Sequence, residues 1–192
     1  KLTQSTIEGM AKDVLSVAAL PDPVGEVFDM KTLENGLLAG KKRVPLGVIA
    51  AIYESRPNVT TDISSLCLKS GNAVILRGGR EALHSNRTIA RIVMGAATRA
   101  GIPDGAVQFI DNTDHALVNR LLRMNKYIDL IVPRGGSGLI SFVRDNSSIP
   151  VVAGGIGLNH TYVDKAAELD KAVRIIYNAK TQRPSVCNSL NT

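Results

Sequence analysis

The residue best suited to covalent chemistry is Cys187, one of only two cysteines in the 192-residue chain. Small polar residues flank it, and Lys180 and Arg183 lie within seven positions. Nearby cations favour the thiolate, which is the nucleophilic form of cysteine. The alternative is a buried and inert thiol, because free cysteines are among the most buried residue types. The local sequence leaves both interpretations open.

Three polar or glycine-rich loops, each after an apolar run, could bind an anion. They are residues 54–58, 77–80 and 133–138. Glycine lets backbone N–H groups approach a phosphate, a helix start adds a favourable dipole, and arginine pairs with phosphate oxygens. Any one Gly-Gly pair fits a tight turn as well, but three such loops at one sheet edge favour an anionic ligand. The motifs Gly-x-Gly-x-x-Gly and Gly-x-x-x-x-Gly-Lys-Ser/Thr are both missing from the sequence.

Alternating strands and helices must position these loops. Hydrophobic periodicity predicts helices at 5–19, 61–70, 82–100, 115–124, 138–145 and 166–178, and strands at 47–53, 73–76, 107–110, 128–132, 151–152 and 160–164. Asn35-Gly36 between two extended runs predicts a hairpin. The expected fold class is therefore α/β, a doubly wound and mostly parallel Rossmann-like sheet with an extended β arm.

Composition narrows the classes of partner. The net charge is +6, but the cations are scattered, aromatic residues make up 4% and tryptophan is absent. A small anionic ligand fits this pattern at least as well as a nucleic acid, which stays a separate hypothesis. Two cysteines give no disulfide framework, and cysteine and histidine do not cluster as metal ligands do. We expect no metal, no nucleic-acid partner, no membrane span and a cytoplasmic location.

Four segments together resemble a known family. Residues 52–58, 70–79, 131–136 and 178–188 are similar, in order, to the motifs of the gamma-glutamyl phosphate reductases, also called glutamate-5-semialdehyde dehydrogenases. These belong to the aldehyde dehydrogenase superfamily. The resemblance covers essentially the whole chain, and its most specific motif contains Cys187.

The resemblance implies an activity and a set of site residues. The activity is reduction of gamma-glutamyl phosphate to glutamate 5-semialdehyde with NADP(H), in proline biosynthesis. Cys187 matches the nucleophile and Asn58 the side chain of the oxyanion hole. Arg77 and Arg80 are candidates for the cofactor's 2′-phosphate. The residues expected at the cofactor are Ser55, Arg56, Pro57, Arg77, Gly78, Gly79, Gly135, Gly136, Ser137, Gly154 and Gly155.

The resemblance also implies an organisation and partners. We expect a helical segment over 1–24, a β arm of the oligomerisation type over 25–45, the NADP-binding domain over 46–178, and the start of a catalytic domain over 179–192. The chain is expected to be part of a longer protein that forms homo-oligomers. Glutamate 5-kinase is a candidate partner. The alternative is a nucleotide-binding module left without catalysis by truncation.

One departure from the superfamily bears on the reaction. Hydrolytic aldehyde dehydrogenases use a glutamate as general base, and the matching residues 152–155 here contain no carboxylate. Phosphate is itself a competent nucleophile and leaving group, so an acyl-phosphate enzyme does not need that base. The departure favours the phosphorylating reaction.

Overall fold

A continuous apolar strand, β3 (Val48–Tyr53), lies at the centre of the main sheet. In this computed structural model, which describes residues 2–154, 157–184 and 186–192, every residue of β3 after Val48 is buried. Burial of consecutive residues requires cover on both faces, as in parallel α/β sheets. The predicted cofactor residue Gly155 lies outside the described residues.

The main sheet has four parallel strands in the order β5-β4-β3-β6. The remaining strands of this sheet are β4 (Ala73–Gly78), β5 (Val107–Phe109) and β6 (Leu130–Arg134). The chain runs outward from β3 to β5 and then returns to place β6 on the other side of β3. Ligands in such sheets bind beyond the carboxyl ends of the strands where this reversal occurs.

Helices cover both faces of the sheet. On one face, Ala51 and Tyr53 pack with residues of α2 (Asn58–Lys69) and α3 (Leu83–Arg99). On the other, Ala50 and Ile52 pack with α4 (His115–Leu121) and α5 (Ser137–Asn146). The predicted doubly wound α/β fold is therefore confirmed.

The N-terminal part contains one helix and the predicted hairpin. Helix α1 (Gln4–Ala18) is capped by the Thr3 hydroxyl and packs against α2. The antiparallel strands β1 (Val27–Thr32) and β2 (Leu38–Lys42) are joined through Gly36, whose φ of +82° suits glycine. The predicted β arm is confirmed.

Two expected strands are absent from the described structure. Residues 151–152 contribute only an isolated bridge, between Ile131 and Val151. Residues 160–164 form no strand, and the Thr161 N–H instead donates to the carbonyl of Thr192. The prediction at 160–164 was wrong because the backbone there pairs with the chain's last residues and not with the sheet.

Two helices begin three residues away from their predicted positions, whereas the others begin within one residue. Helix α2 starts at Asn58, three residues earlier than expected, so that Asn58 becomes its first residue. Helix α6 (Leu169–Thr181) starts later, because the Asp164 carboxylate accepts a hydrogen bond from the Ala166 N–H and holds a turn there.

The chain divides into two compact units, one ending at Ala153 and the other spanning Gly154–Thr192. The sheet lies in the first unit, and α6 and Cys187 lie in the second. The predicted domain boundaries stay predictions. None of the helices in the described ranges combines the length and the apolar run needed to cross a bilayer.

Candidate functional site

Glu54 joins two of the predicted anion loops at the carboxyl edge of the sheet. Its N–H donates to the Arg134 carbonyl over 3.0 Å, and its Oε2 accepts from the Gly136 N–H over 2.8 Å. Gly136 immediately precedes α5, so the carboxylate lies at that helix start. The loops after β3 and β6 therefore meet where the strand order reverses.

Two glycines lie close to neighbouring side chains where these loops approach one another. A Cβ on Gly135 would lie 2.6 Å from Cδ of Glu54 and 2.9 Å from Cδ2 of Leu139. A Cβ on Gly79 would lie 2.5 Å from Oε2 of Glu81 and 3.5 Å from Cα of Glu54. The three predicted loops are thus brought together around Glu54.

The start of α5 fits an anionic group. The Glu54 carboxylate already accepts a backbone N–H there, as a phosphate oxygen would. Gly135, Gly136 and Ser137 are all exposed, so their backbone is accessible from solvent. These residues can hold a cofactor phosphate if Glu54 yields its hydrogen bond.

Arg77 is turned into the protein. It is 7% exposed, and its Nη2 donates to the Thr113 carbonyl over 2.8 Å. Burial is the main cause that lowers the pKa of its guanidinium, and Glu81 partly opposes this. Arg80, by contrast, is exposed at the start of a 3₁₀ turn. Of the two candidates for a 2′-phosphate, Arg80 has the more accessible side chain.

A buried polar network missed by the sequence analysis supports the first two loops. The Tyr53 hydroxyl lies 2.7 Å from the Thr60 hydroxyl, which donates to Oδ1 of Asn86 over 3.4 Å. A Cβ on Gly78 would overlap Nδ2 of Asn86, so the Asn86 side chain leaves no room for a larger residue at position 78. Burial raises the pKa of Tyr53 to about 12. Tyr53, polar at the end of an apolar strand, was the available signal, whereas Asn86 lies among polar neighbours and gave none.

Asn58 is the predicted oxyanion donor, and it is half-buried at the first position of α2. Its Nδ2 donates to Oδ2 of Asp62 over 3.0 Å. Pro57 precedes it with a helical φ of −59°, which suits a helix start. Ser55 and Arg56 are exposed in the same loop. The sequence analysis did not single out Asp62.

The two cysteines have opposite environments. Cys67 is buried in α2, and burial raises the pKa of its thiol to about 11. Cys187 is exposed. Its thiol is accessible to a reactant, whereas Cys67 is a packing residue.

Asn159 holds the backbone around Cys187. Its Nδ2 donates to the carbonyls of Cys187, over 2.7 Å, and Ser189, over 2.9 Å. Its N–H donates to Oδ1 of Asn191, and its carbonyl accepts from the N–H of Asn191. A Cβ on Gly157 would lie 2.8 Å from the Cys187 carbonyl oxygen. Sequence reasoning missed Asn159, because its partners lie about 30 positions away.

The last predicted cofactor position to be placed is Gly154, which is exposed at the start of the second unit. A Cβ there would meet no atom within 4 Å, so nothing nearby requires glycine. Within the described residues, no cluster of three or more His, Cys, Asp or Glu side chains could hold a metal ion.

Comparison with known proteins identifies the family. The profile of the "Aldehyde dehydrogenase family" matches residues 7–189. The chain belongs to this family. The four-stranded parallel sheet and the hairpin match its domain structure.

Within the family, the chain is similar to gamma-glutamyl phosphate reductases. The protein of that name from Dehalococcoides mccartyi is 65% identical over 191 residues, which are 100% of this chain and 45% of the relative. The Thermotoga maritima crystal structure is 49% identical with a TM-score of 0.90, over 99% of this chain and 46% of that one. The Saccharomyces cerevisiae structure is 36% identical with a TM-score of 0.70, over 97% of this chain and 50% of that one. The predicted resemblance is confirmed, and the chain spans about half the length of these relatives.

Proposed function

We propose that this chain supplies the cofactor site and the nucleophile of an NADPH-dependent reductase of gamma-glutamyl phosphate. The observation that carries the proposal is similarity to gamma-glutamyl phosphate reductases over the whole chain, at 65% identity to one of them. The exposure of Cys187 and the glycine-lined loops at the sheet edge support it. The product would be glutamate 5-semialdehyde, and the co-product inorganic phosphate.

In this proposal, the loops of the first unit hold NADP(H). Backbone N–H groups at the start of α5 bind the cofactor's phosphates, and the Glu54 carboxylate withdraws from Gly136. Exposed Arg80 is available to pair with the 2′-phosphate, which would favour NADP over NAD. When bound, the cofactor supplies the hydride that reduces the acyl carbon.

The chain's own residues carry the covalent steps. The Cys187 thiolate attacks the acyl carbon, the carbon–oxygen bond to phosphate breaks, and a thioester forms on the sulfur. The Asn58 amide donates to the oxygen that becomes negative, and such a donor contributes about 3 kcal/mol to lowering the barrier. After reduction of the acyl carbon, the carbon–sulfur bond breaks. The aldehyde leaves and the thiolate is restored.

Asn159 sets the position of this nucleophile. Its two hydrogen bonds to the carbonyls of Cys187 and Ser189 fix the backbone that carries the thiol. A fixed nucleophile loses less freedom on reaching the geometry of attack, which lowers the entropic part of the barrier.

The test uses the full-length protein and the reverse reaction, phosphate-dependent oxidation of glutamate semialdehyde. Cys187→Ser should abolish this activity and leave NADPH binding intact, whereas the matched variant Cys67→Ser should keep the activity. Iodoacetamide should label Cys187 in preference to Cys67. Activity that survives in Cys187→Ser would refute the proposed nucleophile. NADPH binding without any turnover in the unsubstituted protein would favour a non-catalytic nucleotide-binding module.

A further inference from the structure

We propose that Asp62 is a positioning residue that orients the Asn58 amide towards the reacting oxygen. The inference rests on the proposed function, in which Asn58 donates to the oxyanion. Its basis is the hydrogen bond from Nδ2 of Asn58 to Oδ2 of Asp62, which measures 3.0 Å. Both residues lie in α2, one helical turn apart, so the pair forms within a single rigid element.

The hydrogen bond decides which way the amide faces. An ionised carboxylate only accepts, so the Asn58 amide must present its NH₂ group to Asp62 and cannot present its oxygen. One N–H is used in this contact, and the second remains to donate away from Asp62. A flipped amide would place its oxygen against the carboxylate and remove the donor from the oxyanion position.

The surroundings of Asp62 oppose the ionisation of its carboxyl group. Burial is the largest cause that raises its pKa, and the nearby Asp13 of α1 raises it further. The hydrogen bonds from Asn58 and Thr61 and the charge of Arg134 act in the opposite direction. A carboxyl group with a raised pKa costs folding free energy once it is ionised. An ordinary stabilising pair on a helix surface would not carry this cost.

The decisive measurement is a double-mutant cycle on kcat in the full-length protein, with phosphate-dependent oxidation of glutamate semialdehyde as the assay. Asn58→Ala should lower kcat by about 100- to 1,000-fold, as for loss of an oxyanion donor. Asp62→Ala should lower kcat by roughly 10- to 100-fold with little change in KM, because a misaligned group costs rate and not binding. In the Asn58→Ala background, Asp62→Ala should have almost no further effect, since there is no amide left to orient.

Two further variants control for the loss of a nearby charge and for a failure to fold. Asp13→Asn removes the neighbouring charge without touching Asn58 and should leave kcat unchanged. Asp62→Leu removes the acceptor but retains bulk and helix propensity, so it replaces Asp62→Ala if that variant does not fold. A midpoint of thermal unfolding well above the assay temperature would show that a loss of kcat in the variant at position 62 does not come from unfolding.

Each outcome decides between the two proposals. If Asn58→Ala is impaired and the Asp62 variants keep full kcat, the positioning role is overturned and the proposed function stands. If the fold-decreases in kcat of the two single variants multiply in the double variant, Asp62 acts independently of Asn58 and the inference is wrong. If Cys187→Ser retains activity, the proposed function itself fails.

Discussion

The Gly136 N–H donates a 2.8 Å hydrogen bond to the carboxylate of Glu54, which lies 82 positions earlier in the chain. The bond connects the end of β3 to the start of α5, at the side of β3 where the strand order reverses. An internal carboxylate thus sits where an open sheet of this kind binds anions. Under the proposed function, a cofactor phosphate at this helix start would compete with Glu54.

Replacing Glu54 should therefore strengthen cofactor binding. Glu54→Gln removes a negative charge from a helix start, where a charge is worth roughly 0.3–1 kcal/mol, and the dissociation constant of NADPH should fall about two- to fivefold. Fluorescence titration measures this constant. Asp145→Asn, at the other end of α5, is the matched control and should bind NADPH as the unsubstituted protein does. An unchanged constant in Glu54→Gln would exclude competition by this carboxylate.

Gly135→Ala should disrupt the loop after β6. Its new Cβ would lie 2.6 Å from Cδ of Glu54 and 2.9 Å from Cδ2 of Leu139, so these two side chains or the loop must move. We expect weaker NADPH binding and a loss of about 1–3 kcal/mol in the free energy of unfolding. Urea denaturation and NADPH titration test the two effects.

A control for Gly135→Ala lies three residues further along the chain. A Cβ on Gly138 meets no atom within 4 Å, and Gly138 is inside α5. Gly138→Ala should thus be neutral or raise the free energy of unfolding by about 0.5–1 kcal/mol. Equal losses in the two variants would show that the close contact at Gly135 is not the cause.

Asn159→Asp should damage the Cys187 segment more than Asn159→Ala. The aspartate would place a carboxylate oxygen against the carbonyls of Cys187 and Ser189, which now accept from Nδ2. Hydrogen exchange at the amides of Asn191 and Thr192, both bonded to the Asn159 carbonyl, should accelerate in both variants. Exposed Asn178 provides the control, and Asn178→Ala should leave exchange unchanged. Unchanged exchange in both Asn159 variants would argue against a positioning role.

Stability should fall at alkaline pH through Cys67. Burial raises the pKa of its thiol from 9.0 to about 11, so the folded state keeps a proton that the unfolded chain loses. The contribution of the protonated Cys67 thiol to the free energy of unfolding is complete below pH 9. It is lost as pH rises to 11, by an amount on the order of 2 kcal/mol. Urea denaturation of the unsubstituted protein and Cys67→Ala across this range tests the assignment. The free energy of unfolding should decline less steeply with pH in the variant. An identical decline in both proteins would show that another titrating group causes the effect.

The sequence by itself determined the elements and the chemistry of their loops. The unbroken apolar run of β3 predicted a strand buried on both faces, because only cover by helices on each side can exclude water from consecutive side chains. The strand–helix alternation placed the loops at residues 54–58, 77–80 and 133–138 on one sheet edge. The resemblance of four segments, in order, identified the family.

Only the tertiary structure decided which residues meet. The bonds of Glu54 to Gly136 and of Asn159 to Cys187 join positions 82 and 28 apart, and no local pattern encodes such pairs. The inward turn of Arg77 depends on the Thr113 carbonyl, supplied by a loop 36 residues later. The expected strand at 160–164 failed because its backbone found partners at the chain's end. Strand and helix periods are local properties of the chain, whereas hydrogen bonds between distant loops exist only after the sheet has brought those loops together.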